Sequence, residues 1–270
     1  MIRNTLLKEV EINGRDAFGK TARVVLSPIG APGIYWNADG TDVPLDKVCI
    51  TAHPYLHCLK LSHKKAELYV PEHLLGYLYA AGVDGVRISA SRLPYDGCAV
   101  LFHKMIGPQL KRSGVFSCVT PTTMIEIPVC SGRSLEIHPS EETNQTRTLV
   151  YRIVVNYESI GESILEGDLD QIDIAALSHA RPYGRPVLKV LSQIFGRKDQ
   201  FVWFEQNEGI SSQEKLEEIA THRLLDLLGA LLCVTPKGTR LAGRIISPQF
   251  ANHQSDMLLV EELRVPNRFI

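Results

Sequence analysis

The sequence predicts an α+β fold of two pseudo-repeated halves, with helices sandwiched between two outer sheets. Two observations predict it. Strand-period and helix-period segments are interspersed along the whole chain. Their order also repeats: strands, inner helix, strand, proline-containing loop, helix. The first copy surrounds His73-Leu74-Leu75 and Pro94, the second His222-Arg223-Leu224-Leu225 and Pro248. Each copy sets a histidine near the start of its inner helix, so packing the halves face to face brings His73 and His222 towards one seam. The halves are expected at residues 1–114, carrying Glu72 and His73, and 115–270, carrying His222, Asp226 and His253.

In chain order, residues 5–12 and 21–26 read as strands parted by a turn at Gly14-Arg15-Asp16. Ile34-Tyr35-Trp36 is a strand, Asn37-Ala38-Asp39-Gly40 a hairpin signal, and residues 48–52 a further short strand. Pro54 pushes His53 towards extended geometry, so His53 and His57 read as residues of a loop or strand and not as a ligand pair. Residues 70–82 form a helix with Pro71 in its first turn, Glu72 at its positive end and Gly82 to close it. A strand follows Gly85, and residues 98–110 read as a helix. Gly107-Pro108 and Lys111 to Gly114 mark a break. Strands are expected at 123–129, 134–137 and 147–156, with a polar turn over 139–145. Asp168 or Asp170 can cap a helix through Ile174, Leu177 and Ala180. Leu224, Leu225, Leu228, Leu231 and Leu232 recur at three- and four-residue spacing and define a helix after Gln213 with a broad buried face. Residues 240–246 form a strand and 252–263 a closing helix.

Charge narrows the partners. Across 270 residues the net charge is −1 and no basic run stands out, so there is no electrostatic case for nucleic acid or an anionic membrane. The six cysteines contain no Cys-x-x-Cys pair, which removes zinc knuckles and thioredoxin-type chemistry. The N-terminal residues lack a signal-peptide run, and the most apolar window, 224–234, is broken by Asp226 and too short to span a bilayer. A reducing, cytoplasmic setting fits best. Nothing in the sequence sets an oligomeric state.

His222 and Asp226 are four apart and project from one side of their helix. An imidazole and a carboxylate so placed can hold a metal ion together, or form a polar pair at a helix edge. A catalytic zinc usually takes three protein ligands and leaves one position open. His73, His222 and Asp226 would supply them. Glu72 could take a proton from water that the metal has acidified, and His253, opening the last helix, could protonate a leaving nitrogen. Histidine and carboxylate ligands suit iron(II) as well as zinc.

Several segments in order resemble the UDP-3-O-acyl-N-acetylglucosamine deacetylases, the zinc amidases of lipid A synthesis. Val70-Pro71-Glu72-His73-Leu74-Leu75 resembles their Thr-Val-Glu-His-Leu-Leu. Ala81 to Val86 and Pro94 to Ala99 resemble their Leu-Gly-Ile-Asp-Asn and Pro-x-x-Asp-Gly-Ser-Ala runs. Ser178-His179-Ala180-Arg181-Pro182-Tyr183-Gly184 resembles Ser-Arg-Ala-Arg-Thr-Phe-Gly, residues 222–229 resemble His-Lys-Ile-Leu-Asp-x-Ile-Gly, and His253-Gln254-Ser255-Asp256 resembles His-x-x-Asn. The resemblance implies two βααβ halves facing each other, zinc on His73, His222 and Asp226, Glu72 as general base, His253 as the leaving-group acid, and Arg223 and Tyr183 against an acylated nucleotide-sugar substrate. The chain departs from the family at five places, the first being Arg223, which stands for a lysine, keeping the charge but changing the geometry. Pro182 stands for an oxyanion-holding threonine, Ala230 for an aspartate expected to orient the acid histidine, and Ala17-Phe18-Gly19 for His-Ser-Gly. Residues 198–207 occupy the place of a Gly-rich, Asn-containing loop. These departures leave room for a paralogue acting on another N-acyl compound, or for a non-catalytic metal-binding protein of the same fold.

Overall fold

The computed structural model describes the chain except residues 54–57, 131, 141–147, 158–160, 184–197 and 204–210. The histidine pair and loop at 53–57, the turn at 139–145 and the loop at 198–207 therefore lie partly outside the described residues. After β1 (Ile2–Leu6), the first half runs through β2 (Val10–Arg15), β3 (Thr21–Pro28), β4 (Ile34–Ala38) and β5 (Thr41–Pro44). A small meander follows, β6 (Cys49–His53), β7 (Cys58–His63) and β8 (Ala66–Tyr69). Then come α1 (Glu72–Ala80), β9 (Val86–Arg92) and α2 (Val100–Ile106). β10 (Leu110–Val115) follows and crosses the expected boundary at residue 114, and the second half continues through β11 (Ser117–Val119), β12 (Ile125–Cys130), β13 (Arg133–His138), β14 (Leu149–Tyr157) and β15 (Gly161–Asp168). It ends with α3 (Ile174–His179), α4 (Ser211–Leu232), β16 (Thr239–Leu241), β17 (Gly243–Ser247) and α5 (His253–Leu263).

The repeat is one of topology. The two main sheets have strand orders β2-β3-β9-β4-β5 and β12-β13-β17-β14-β15. In each, two hairpins are joined by a late strand that enters the middle, antiparallel to one neighbour and parallel to the other. That late strand is flanked in sequence by a helix on each side, α1 and α2 in one half, α4 and α5 in the other. The helices fill the space between the sheets, and one continuous apolar core runs from Val24, Leu26 and Ile88 through Leu74, Leu78, Leu224 and Leu228 to Leu135, Ile153 and Ile245.

Helices α1 and α4 meet closely because glycines face the partner backbone. A Cβ on Gly76 would lie 2.1 Å from the Leu225 carbonyl oxygen, and one on Gly229 would lie 2.5 Å from that of Glu72. This approach lets side chains from the first turn of α1 and the middle of α4 meet. Gly229→Ala is expected to lower stability by about 1–3 kcal/mol through overpacking, seen as a lower urea midpoint; an unchanged midpoint contradicts the close approach.

Several elements differ from the sequence expectation. Residues 5–12 divide into β1 and β2, and β2 runs on to Arg15. The turn comes later, where Asp16 accepts the N–H groups of Phe18 and Lys20. The β7–β8 hairpin and β15 were not anticipated. Lys111 to Gly114 is no break but part of β10, paired with β1. The α2 helix is shorter than 98–110 because its end tightens into a 3₁₀ turn at Gly107–Gln109. Asp173, not Asp168 or Asp170, caps α3, while Asp168 caps the 3₁₀ turn before it. Residues 240–246 split at Ala242 because β16 pairs with β11 and β17 joins the main sheet.

Candidate metal centre

Glu72 and His73 are set by the sharp entry into α1. Val70 has φ 56°, a left-handed backbone that a β-branched residue rarely adopts, at a cost of about 1–3 kcal/mol. Its N–H donates to the Leu59 carbonyl at 3.1 Å, and the turn sends Glu72 and His73 inward, both buried. From the facing helix, His222 and Asp226 project one turn apart, as the i,i+4 spacing requires.

His73 Nε2 and His222 Nε2 each lie 3.6 Å from the same oxygen, Asp226 Oδ1. The two rings are 4.9 Å apart and nearly perpendicular. One ligand atom from each of the three residues falls within 4.8 Å of the others. Asp226 Oδ1 is buried and has no hydrogen-bond partner. A bare buried carboxylate oxygen is costly, and a cation between it and two imidazole nitrogens answers that cost. The donor set thus fits a divalent ion of the zinc or iron(II) type.

The histidines are held in the matching form. His222 Nδ1 lies 2.9 Å from the Ala180 carbonyl; that nitrogen must donate, which leaves the Nε2 lone pair for a metal. Burial, then the neighbouring His222, hold His73 down at about 3, so its ring is neutral, and the main chain at Cys98 hydrogen-bonds it. Tyr95 stacks on the His73 ring at 5.4 Å. Burial would push the Asp226 carboxyl up, but His222, His253, His73 and Arg223 outweigh it and hold it below the usual range. Glu72 goes the other way: burial, then the Asp226 charge, raise it well above the usual range, although Leu59 N–H donates to its Oε2 at 3.1 Å.

His253 enters from the start of α5, where Asn252 and Ser255 form a capping box. Its Nε2 is 3.7 Å from Asp226 Oδ2 and 4.0 Å from Glu72 Oε1. The structure therefore brings Glu72, His73, His222, Asp226 and His253 together. Arg223 instead turns its guanidinium to Asp256, Nη1 to Oδ2 at 2.7 Å and Nη2 to Oδ1 at 2.5 Å. Tyr183 bridges to Val202, and the Pro182 carbonyl accepts the Val202 N–H at 2.9 Å. Sequence reasoning gave no role to Asp256, Tyr95 or the Ala180 carbonyl. Only Asp256 carried a local signal, its i,i+3 spacing from His253.

Compared with curated proteins, the chain matches none. The family model described as UDP-3-O-acyl N-acetylglycosamine deacetylase matches residues 3–264.

Proposed function

The chain belongs to the UDP-3-O-acyl N-acetylglycosamine deacetylase family, and from that premise we propose that it is a metal-dependent amide hydrolase which removes the N-acetyl group of an acylated nucleotide sugar in lipid A biosynthesis. The observation that carries the reading is the bare Asp226 oxygen between two imidazole nitrogens, with a raised carboxyl, Glu72, beside it.

His73, His222 and Asp226 would hold zinc, with iron(II) the alternative. A divalent ion there supplies Lewis acidity, acidifying water and polarising an amide carbonyl. Glu72 takes the proton from the attacking water as the new C–O bond forms. His253 Nε2, 4.0 Å from Glu72 Oε1 and 3.7 Å from Asp226 Oδ2, gives a proton to the amine nitrogen as the C–N bond breaks, and acetate and a free amine result. Glu72 and His73 are themselves buried, which strengthens the electrostatic interactions they make. Arg223 and Tyr183 are assigned to the substrate side, with the reach of Arg223 limited by its pair with Asp256. Among the described residues no helix is long and apolar enough to cross a membrane.

Pro182 favours a second reading, a paralogue acting on a different N-acyl compound. Proline has neither hydroxyl nor N–H to offer an oxyanion, and loss of one such donor typically costs about 10²–10³ in rate. Acetate release from UDP-3-O-acyl-N-acetylglucosamine by metal-loaded protein separates the readings. Release supports the first. Metal-loaded, folded protein that hydrolyses other N-acetyl amides but not this one supports the second, and protein that hydrolyses none contradicts both.

A further inference from the structure

We propose that Asp256 is the positioning residue for the His253 ring, holding Nδ1 away from the centre so that Nε2 faces it, with Arg223 as the clamp that fixes Asp256. This rests on the reading of His253 as the leaving-group acid.

The two nitrogens of His253 have different surroundings. Nε2 looks towards Asp226 and Glu72, at 3.7 and 4.0 Å. Nδ1 is buried and makes no hydrogen bond, and Asp256 Oδ2 lies 3.9 Å away. Asp256 is one turn further along α5 and its side chain is fully buried. Both its oxygens are taken by the guanidinium fork, a geometry that fixes the carboxylate plane as well as its position. A small turn of the imidazole closes the gap to Oδ2, as such bonds tighten when substrate binds. Each carboxylate oxygen has a second lone pair, so Oδ2 can accept from Nδ1 without releasing Arg223.

The facing helix supplies no substitute. His222, Asp226 and Ala230 lie at i, i+4 and i+8 along one face of α4, and the methyl group of Ala230, buried, accepts no hydrogen bond. Arg223 follows the ligand His222 directly in sequence. The Arg223–Asp256 pair therefore ties the helix that carries two metal ligands to the helix that carries the acid. A residue serving only as a buried ion-pair partner would affect stability alone. A positioning residue sets which nitrogen of His253 carries the proton in the neutral ring.

The test uses metal-loaded protein labelled with ¹⁵N-histidine, with the His253 signals assigned by their loss in His253→Gln. In the wild type the neutral ring is expected to carry its proton on Nδ1. In Asp256→Asn the proton is expected to move to Nε2 or to distribute between the nitrogens, with metal content unchanged. Acetate release should fall about 10- to 100-fold in kcat, with KM altered less than about twofold. A carboxylate restored from the other helix, in Ala230→Asp/Asp256→Asn, should recover at least part of that kcat. A wild-type ring protonated on Nε2, or an Asp256→Asn protein with the wild-type tautomer and kcat, overturns the proposal. If Asp256→Asn does not fold, the wild-type tautomer decides alone. If the wild type releases no acetate, the deacetylase reading fails while the tautomer measurement still decides the position of the ring.

Discussion

His222→Ala protein is expected to come through dialysis without metal and to release no measurable acetate. His222 supplies one of the two imidazole nitrogens facing Asp226 Oδ1, and its other nitrogen is tied to the Ala180 carbonyl. No other histidine is gathered with His73 and Asp226 into the same ligand cluster among the described residues. The loss should therefore exceed the roughly 10- to 100-fold in affinity that follows removal of an outer partner alone. Stability gives an independent reading. An ion bound only by the folded chain stabilises it by mass action, so a chelator should lower the Tm of the wild type and leave that of His222→Ala unmoved. A His222→Ala protein that keeps one metal per chain contradicts the ligand assignment.

Glu72→Gln should separate catalysis from metal binding. Glutamine keeps the shape of the side chain and can still accept the Leu59 N–H, but it cannot take a proton. The expected result is full metal content with kcat lower by about 10²–10⁴, the usual contribution of a positioned base. Metal analysis and acetate release on one preparation check it. Retention of kcat within a few-fold removes Glu72 from the proton transfer. Loss of metal shows instead that its buried carboxyl helps to shape the ligand cluster.

The centre was legible in the sequence to the extent that it depends on helical period. His222 and Asp226 lie on one face of α4 whatever else the chain does, because the spacing of Leu224, Leu228 and Leu231 dictates that helix. His73 is 149 positions earlier in the chain, and it could be paired with them only through the repeated order of elements, which the matching strand orders of the two sheets bear out. What could not be read was set by non-local backbone contact. The alternation of Leu59 and Leu61 with Lys60 and Ser62 suits a strand, but β7 takes its place from partners on both sides. Lys111 to Gly114 has the composition of a loop, yet forms a strand because β1 lies beside it. Asp173 won the cap of α3 from Asp168 because the chain first turns through a 3₁₀ segment. The Ala180 carbonyl that fixes His222 has no side-chain signature at all.

The most direct test of the central claim is anomalous diffraction from metal-loaded crystals at the absorption edge of the bound ion. The expected result is one strong peak per chain, about 2.0–2.2 Å from His73 Nε2, His222 Nε2 and an Asp226 oxygen, with Glu72 and His253 flanking it. A stoichiometric metal whose peak lies elsewhere, or is held without both histidines, contradicts the account.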